Sequence, residues 1–172
     1  MGEILVASGV NVRTSVHVTA RSYTYLANEI NRIFLETITR SGLDPTDLTS
    51  IQDIIENGLR TWLTLRQLEV AYLEVYEPIS GKVRTRIDLK IEYTAGGDER
   101  YQTDIDRVRR ELGTGGKFAG CQYRVVATTT PGAAQVKGWG ETTLGDVSHL
   151  TRRNVGQVID TAAAGAVMSI FS

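Results

Sequence analysis

The chain has 172 residues, 41% hydrophobic and 23% charged, with a net charge of −1 and a pI near 6.1. That size reads as one soluble domain burying roughly 70% of its unfolded surface. With 19 basic against 20 acidic residues, it has no cationic excess to displace counterions from a phosphate backbone, so direct nucleic-acid binding is not expected.

Residues 3–16 alternate weakly and read either as a first strand or as an N-terminal arm docked on the core. The opening MGEILVASGV has no basic leader region, and the longest small-apolar tract, residues 161–171, is far shorter than the ~20 residues a membrane span requires. A cytoplasmic protein with no membrane partner is the expectation. Thr19 is a candidate cap for a helix over residues 20–40, whose apolar stripe is Tyr23, Ala27, Ile30, Ile33, Phe34 and Ile38. Arg21, Asn28, Glu29, Asn31, Arg32 and Glu36 lie off that stripe. Gly42 stops the helix, and Asp44-Pro45 opens a loop.

The most legible stretch follows. A central helix beginning near Thr49 or Ser50 carries Ile51, Ile54, Ile55, Leu59, Trp62 and Leu63 at helical spacing. It leads into a hairpin, LEVAYLEVY, turn EPISGK, then VRTRIDLKIEY. In the second strand Val83, Thr85, Ile87, Leu89, Ile91 and Tyr93 share one face, while Lys82, Arg84, Arg86, Asp88, Lys90 and Glu92 share the other. Such alternation predicts one face on a core and one in water. Ile55, Leu59, Trp62, Leu63, Ile87, Leu89 and Ile91 are therefore the predicted core.

After a turn at Ala95-Gly96-Gly97-Asp98, residues 99–112 read as a third helix with Tyr101, Ile105, Val108 and Leu112 on one face, ended by Gly113. Residues 118–130 read as a strand containing Cys121, the single cysteine, which allows no intrachain disulfide and is expected to be packed inside. Pro131-Gly132 breaks the strand. Beyond it, residues 133–172 hold few large side chains. Residues 135–143 and 166–171 look β-like, and residues 144–160 are weakly patterned. A tail that buries little apolar surface belongs at the low-stability end of a structure.

Motifs for catalysis fail. GTGGKF at 113–118 follows a helix, precedes a strand and has Phe118 where a phosphate-binding loop needs a hydroxyl. His17 and His149 are isolated, and no residues have metal-ligand spacing. Asp104 and Asp106 point in different directions on a helix. Arg107, Arg109 and Arg110, and Arg152 with Arg153, have acidic neighbours and read as solvated faces or protein contacts. No catalytic residue, metal or cofactor is expected.

The order of elements, and above all ENGLRTWLTLRQLEVAYLEVYEPISGKVRTRIDLKIEY at 56–93, resembles a HORMA domain. As in the spindle-checkpoint members, a helix ending in tryptophan-leucine enters a hairpin that turns at a serine-glycine, here Ser80-Gly81. The prokaryotic branch fits best. The resemblance implies an α+β fold: an antiparallel sheet with a central hairpin, backed by three helices. It implies a single domain over 1–172, with a core at about 14–130 and a C-terminal safety belt at about 131–172. It also implies a binding module and no enzyme. A closure-motif peptide would add as a strand along Gln122, Tyr123, Arg124, Val125, Val126, Ala127 and Thr128, with Gln122, Arg124 and Val126 reading its side chains. The belt would hold the peptide through Val136, Lys137, Trp139, Leu144 and Val147. Trp139 is its best anchor; an ordinary core tryptophan is the competing reading. Partners implied are a cGAS/DncV-like nucleotidyltransferase that the peptide-bound form activates in antiphage (CBASS) signalling, an AAA+ remodeller of the pachytene-checkpoint type, and a second HORMA protein. Residues 3–13 are a candidate segment for the remodeller to pull, with a plain edge strand as the equal alternative. Two alternatives stay open: an assembly domain that self-associates through its sheet, and a small ligand-binding or catalytic α+β domain with a site near Asp98 or Asp104.

Overall fold

The computed structural model describes residues 2–113 and 115–172, with side chains from His17 onward. In chain order the elements are α1 (Gly2–Arg40), α2 (Thr46–Ser50), α3 (Gln52–Thr64), β1 (Leu68–Tyr76), β2 (Val83–Tyr93), β3 (Tyr101–Thr103), α4 (Ile105–Leu112), β4 (Gln122–Thr129), β5 (Arg152–Thr161) and β6 (Ala164–Phe171). The strands form one antiparallel sheet in the order β3-β5-β6-β2-β1-β4.

The core follows from two periodicities meeting. Leu73 pairs with Ile87, and Ile87 with Ile170; Ala71 pairs with Leu89, and Leu89 with Met168. The pleat puts these on one face, where they join Ile30, Ile33, Phe34 and Ile38 of α1 and Ile55, Leu59, Trp62 and Leu63 of α3 in one buried cluster. Burying six such aliphatic side chains contributes on the order of 10 kcal/mol before entropy is subtracted. The hairpin and the central helix sit where their spacing predicts.

Several local expectations change. Thr19 lies inside α1, which passes through it without a cap. Residues 3–16, read as a strand or arm, fall among those whose side chains lie outside the described residues, and the element containing them is α1. The central helix is interrupted at Ile51 into α2 and α3. Ile51 and Ile54, counted in its buried stripe, are 44% and 39% exposed. Asn31, placed off the stripe of α1, is buried and bonds Glu56. The first part of the 99–112 helix is instead β3, because Tyr101, Gln102 and Thr103 pair with Thr161, Asp160 and Ile159. Asp104 then caps α4, its carboxylate accepting the Arg107 N–H at 3.0 Å. Residues 135–143 form no strand, whereas the weakly patterned stretch supplies β5. Val155, Val158, Ile159, Met168 and Ile170 are core, so the last twenty residues are not loosely packed. Cys121 precedes β4 and is half-buried.

Most of the basic clusters are engaged internally, while Arg110 is exposed. Arg109 pairs with Glu36 at 2.7 Å, Arg107 donates to the Val155 carbonyl, and Arg153 pairs with Glu111 and donates to its carbonyl. Through these contacts α4 covers the part of β5 that the three-residue β3 leaves open.

Candidate functional site

β4 is the outermost strand at the opposite side of the sheet, paired only with β1 among the described residues, from Tyr76↔Gln122 to Leu68↔Thr129. Seven of its eight residues are half-buried or exposed; Val126 alone is buried. Tyr123, Val125 and Ala127 pair with Val75, Leu73 and Ala71 on the helix face. Gln122, Arg124, Val126 and Thr128 therefore face the other way. A strand so placed offers a row of unpaired N–H and C=O groups.

Residues 130–151 connect β4 to β5, which lies on the far side of the sheet beyond β1, β2 and β6. The segment starts on the helix face. Ala134 donates its N–H to Gln67 and its carbonyl accepts the Trp62 indole N–H at 2.7 Å. Trp139 packs edge-on against Trp62, with ring centroids 4.9 Å apart, and donates its indole N–H to the Ile54 carbonyl at 3.0 Å. The segment then reaches the opposite face. Arg124 donates to the Thr142 hydroxyl at 2.9 Å and to the Thr143 carbonyl at 2.6 Å. Glu74 accepts the Gly145 N–H at 2.8 Å, and His149 meets the Val83 carbonyl at 2.7 Å. Because β4 is the outer strand, a chain tied to both faces passes around its edge. Residues 140–141, between the ties to the two faces, are exposed.

Glu74 anchors the outer-face contacts. Its side chain is 1% exposed, accepts Arg124 Nε at 2.7 Å and lies 4.0 Å from Arg86. Arg86, predicted to be in water, is instead buried between the Tyr72 and Phe171 rings, with its guanidinium on Asp88. Burial outweighs that pairing and pushes the Asp88 carboxyl above the usual range. At one end of β4, a 330 Å³ cleft is lined by Leu43, Asp44, Asp47, Tyr76, Cys121, Gln122 and Tyr123. The Tyr123 hydroxyl closes its floor, donating to the Asp44 carbonyl at 2.7 Å and accepting the Leu48 N–H. Burial raises the Tyr123 phenol.

Against the sequence expectations, Gln122 to Thr128 all lie on this outer strand. The donors of Arg124 are taken by Glu74 and by residues 142–143, so its guanidinium holds the connecting segment. Val136, Trp139, Leu144 and Val147 are half-buried along that segment, and Lys137 points to solvent. Sequence reasoning missed Glu74 and Gly145. The one available signal was Glu74, a carboxylate flanked by Leu73 and Val75 in the strand LEVAYLEVY. No group of His, Cys, Asp and Glu suited to a metal occurs among the described residues. No described helix is long and apolar enough to cross a membrane. Asp98 and Asp104 line neither the 330 Å³ cleft nor an open 450 Å³ depression lined by Ala20, Arg21, Thr24, Tyr25, Asn28 and Tyr101.

The family model for bacterial HORMA domain 2 matches residues 10–172. No curated protein matches the chain. Solved structures similar to it include HTP-2 bound to HTP-3 motif-6 (TM-score 0.69, 12% identity, 88% of this chain and 90% of that one). Another is C. elegans HTP-2 bound to the HIM-3 closure motif (TM-score 0.63, 14% identity, 90% and 91%). A third is a chain of the E. coli MS115-1 CdnC:HORMA-deltaN complex (TM-score 0.60, 11% identity, 88% and 87%). At these identities the likeness establishes the fold.

Proposed function

The chain belongs to the bacterial HORMA family, and from that premise we propose that it is a peptide-binding signalling adaptor. A closure-motif peptide adds as a strand along Gln122 to Thr128, under a safety belt within residues 131–172. The observation that carries this is the open outer strand β4 with a connecting segment passing around it and tied down on both faces. Main-chain bonds supply affinity, and side-chain pockets along the strand supply choice. The belt blocks direct departure, so release requires the segment to let go and dissociation is slow.

HTP-2 has been solved with closure motifs, and a HORMA chain with CdnC. Those precedents support a peptide-bound form that meets a synthase; activation, antiphage defence, the remodeller and the second HORMA protein are carried by the family resemblance alone. The peptide-bound form binds and activates a cGAS/DncV-like nucleotidyltransferase in cytoplasmic antiphage defence. An AAA+ remodeller reopens it, and a second HORMA protein is a further partner. The chain acts by binding and performs no catalysis.

The test is reconstitution. Peptides selected on the protein from a display library are added to mixtures of the chain and candidate synthases, and cyclic-nucleotide formation is assayed. Peptide-dependent stimulation is expected. Its absence across partners, with peptide still bound, would leave a peptide clasp without the activator role. The runner-up reading is an assembly domain that pairs through the same strand. It requires concentration-dependent self-association in the absence of peptide.

A further inference from the structure

Gly58 sits in the interior of α3, buried, where alanine would favour the helix more. Its backbone is ordinary helix, so conformation does not call for glycine. Space does. A Cβ at this position would stand 2.3 Å from Trp139 Nε1, 2.7 Å from Cε2 and 3.0 Å from Cδ1. The indole is rigid, and it is fixed from two further sides by the Ile54 carbonyl and the Trp62 ring. The neighbouring residue repeats the pattern in reverse. Gly138 has φ +89°, and a Cβ there would lie 2.5 Å from Ile54 Cγ2. Backbone and side chain thus interlock twice in succession where the segment meets α3. These contacts stand well apart from Gln122 to Thr128 in sequence and do not use their side chains.

We infer that Gly58 is a positioning residue: the empty socket on α3 into which Trp139 locks, setting the balance between a seated and a released belt. The missing methyl favours only the seated form. When the belt is released, glycine merely weakens the helix. Gly58→Ala therefore works in one direction twice, excluding the indole and strengthening the helix left behind. This inference rests on the belt reading for its purpose, but its geometry is independent of any peptide.

The test is amide hydrogen exchange on the full chain without peptide. In Gly58→Ala, amides of residues 134–145 exchange at least about tenfold faster, with β1 and β2 amides unchanged and thermal stability not reduced. Trp139→Ala gives the same local loss in the wild-type background, and the double variant adds nothing further. Unchanged protection over 134–145 in Gly58→Ala overturns the inference. If Gly58→Ala loosens β1 and β2 as well, the decision passes to Trp139→Ala, and retained belt protection there overturns it. Retention of a library-selected peptide in gel filtration is scored separately. Faster exchange in a protein whose wild type retains no peptide leaves the socket standing and removes the adaptor reading.

Discussion

The two sides of the sheet are finished differently. On one side, β3 covers only the end of β5, and α4 covers the rest through Arg107 and Arg153, which satisfy carbonyl groups and an acidic partner. On the other, β4 has no strand or helix capping its ladder among the described residues, only a segment that passes around it. Exposed strand edges invite unwanted pairing, and proteins normally blunt them. Here one edge is blunted, and the other is left open but roofed, which suits a partner admitted one strand at a time.

The largest expected effect strikes the frame that holds both edges. Leu59→Ala, at a fully buried position, should cost roughly 2–5 kcal/mol in chemical denaturation. Both sides of the sheet should fail together; independent loss of one would mean that the edges do not share a core. Next comes the open side. Glu74→Ala removes the acceptor for Arg124 and for the Gly145 N–H, leaving Arg86 less compensated. A loss of about 2–3 kcal/mol is expected, discounted because Arg124 is partly solvated. Faster exchange at residues 142–145 would localise that loss to the connecting segment.

What could be read from residues alone follows the same division. The β2 alternation was legible because its inward residues meet α1 and α3. It failed at Arg86 and Asp88, where Tyr72 and Phe171, distant in sequence, cover a face expected to be wet. β5 was illegible for a physical reason. Its register shifts between Asn154 and Gly156, and again between Gln157 and Ile159, so a period-two pattern cannot run through it. Residues 99–103 carry helix-like spacing, but tertiary pairing with β5 makes part of them a strand. Residues 135–143 look β-like yet contain Gly138 in a left-handed conformation and find no ladder. Of the site, the β4 strand was readable. The Glu74–Arg124 tie and the Gly58 socket depend on chain crossings that local sequence does not encode.

The blunted side should respond more weakly. Arg107→Ala uncovers the Val155 carbonyl and should cost about 1 kcal/mol. If the account of that edge is right, light scattering should also detect new concentration-dependent association. The smallest effect is a pH dependence. The hydrogen bond from Arg109, with a second from Arg40, holds the Glu36 carboxyl below its usual range. Because its folded pKa is depressed, the stabilisation is present above the ordinary glutamate value and is lost as pH falls through the folded one. Glu36→Gln should flatten that acid limb of the denaturation midpoint against pH, while leaving the neutral region little changed because both partners are partly solvated.

The most direct measurement is amide exchange across both edges with and without a library-selected peptide. Strand addition at β4 predicts that amides of residues 122–129 slow by at least about tenfold on binding, while β3 and β5 stay as they were. Peptide that binds tightly yet leaves β4 exchange unchanged, or protects the α4-covered edge instead, would contradict the account.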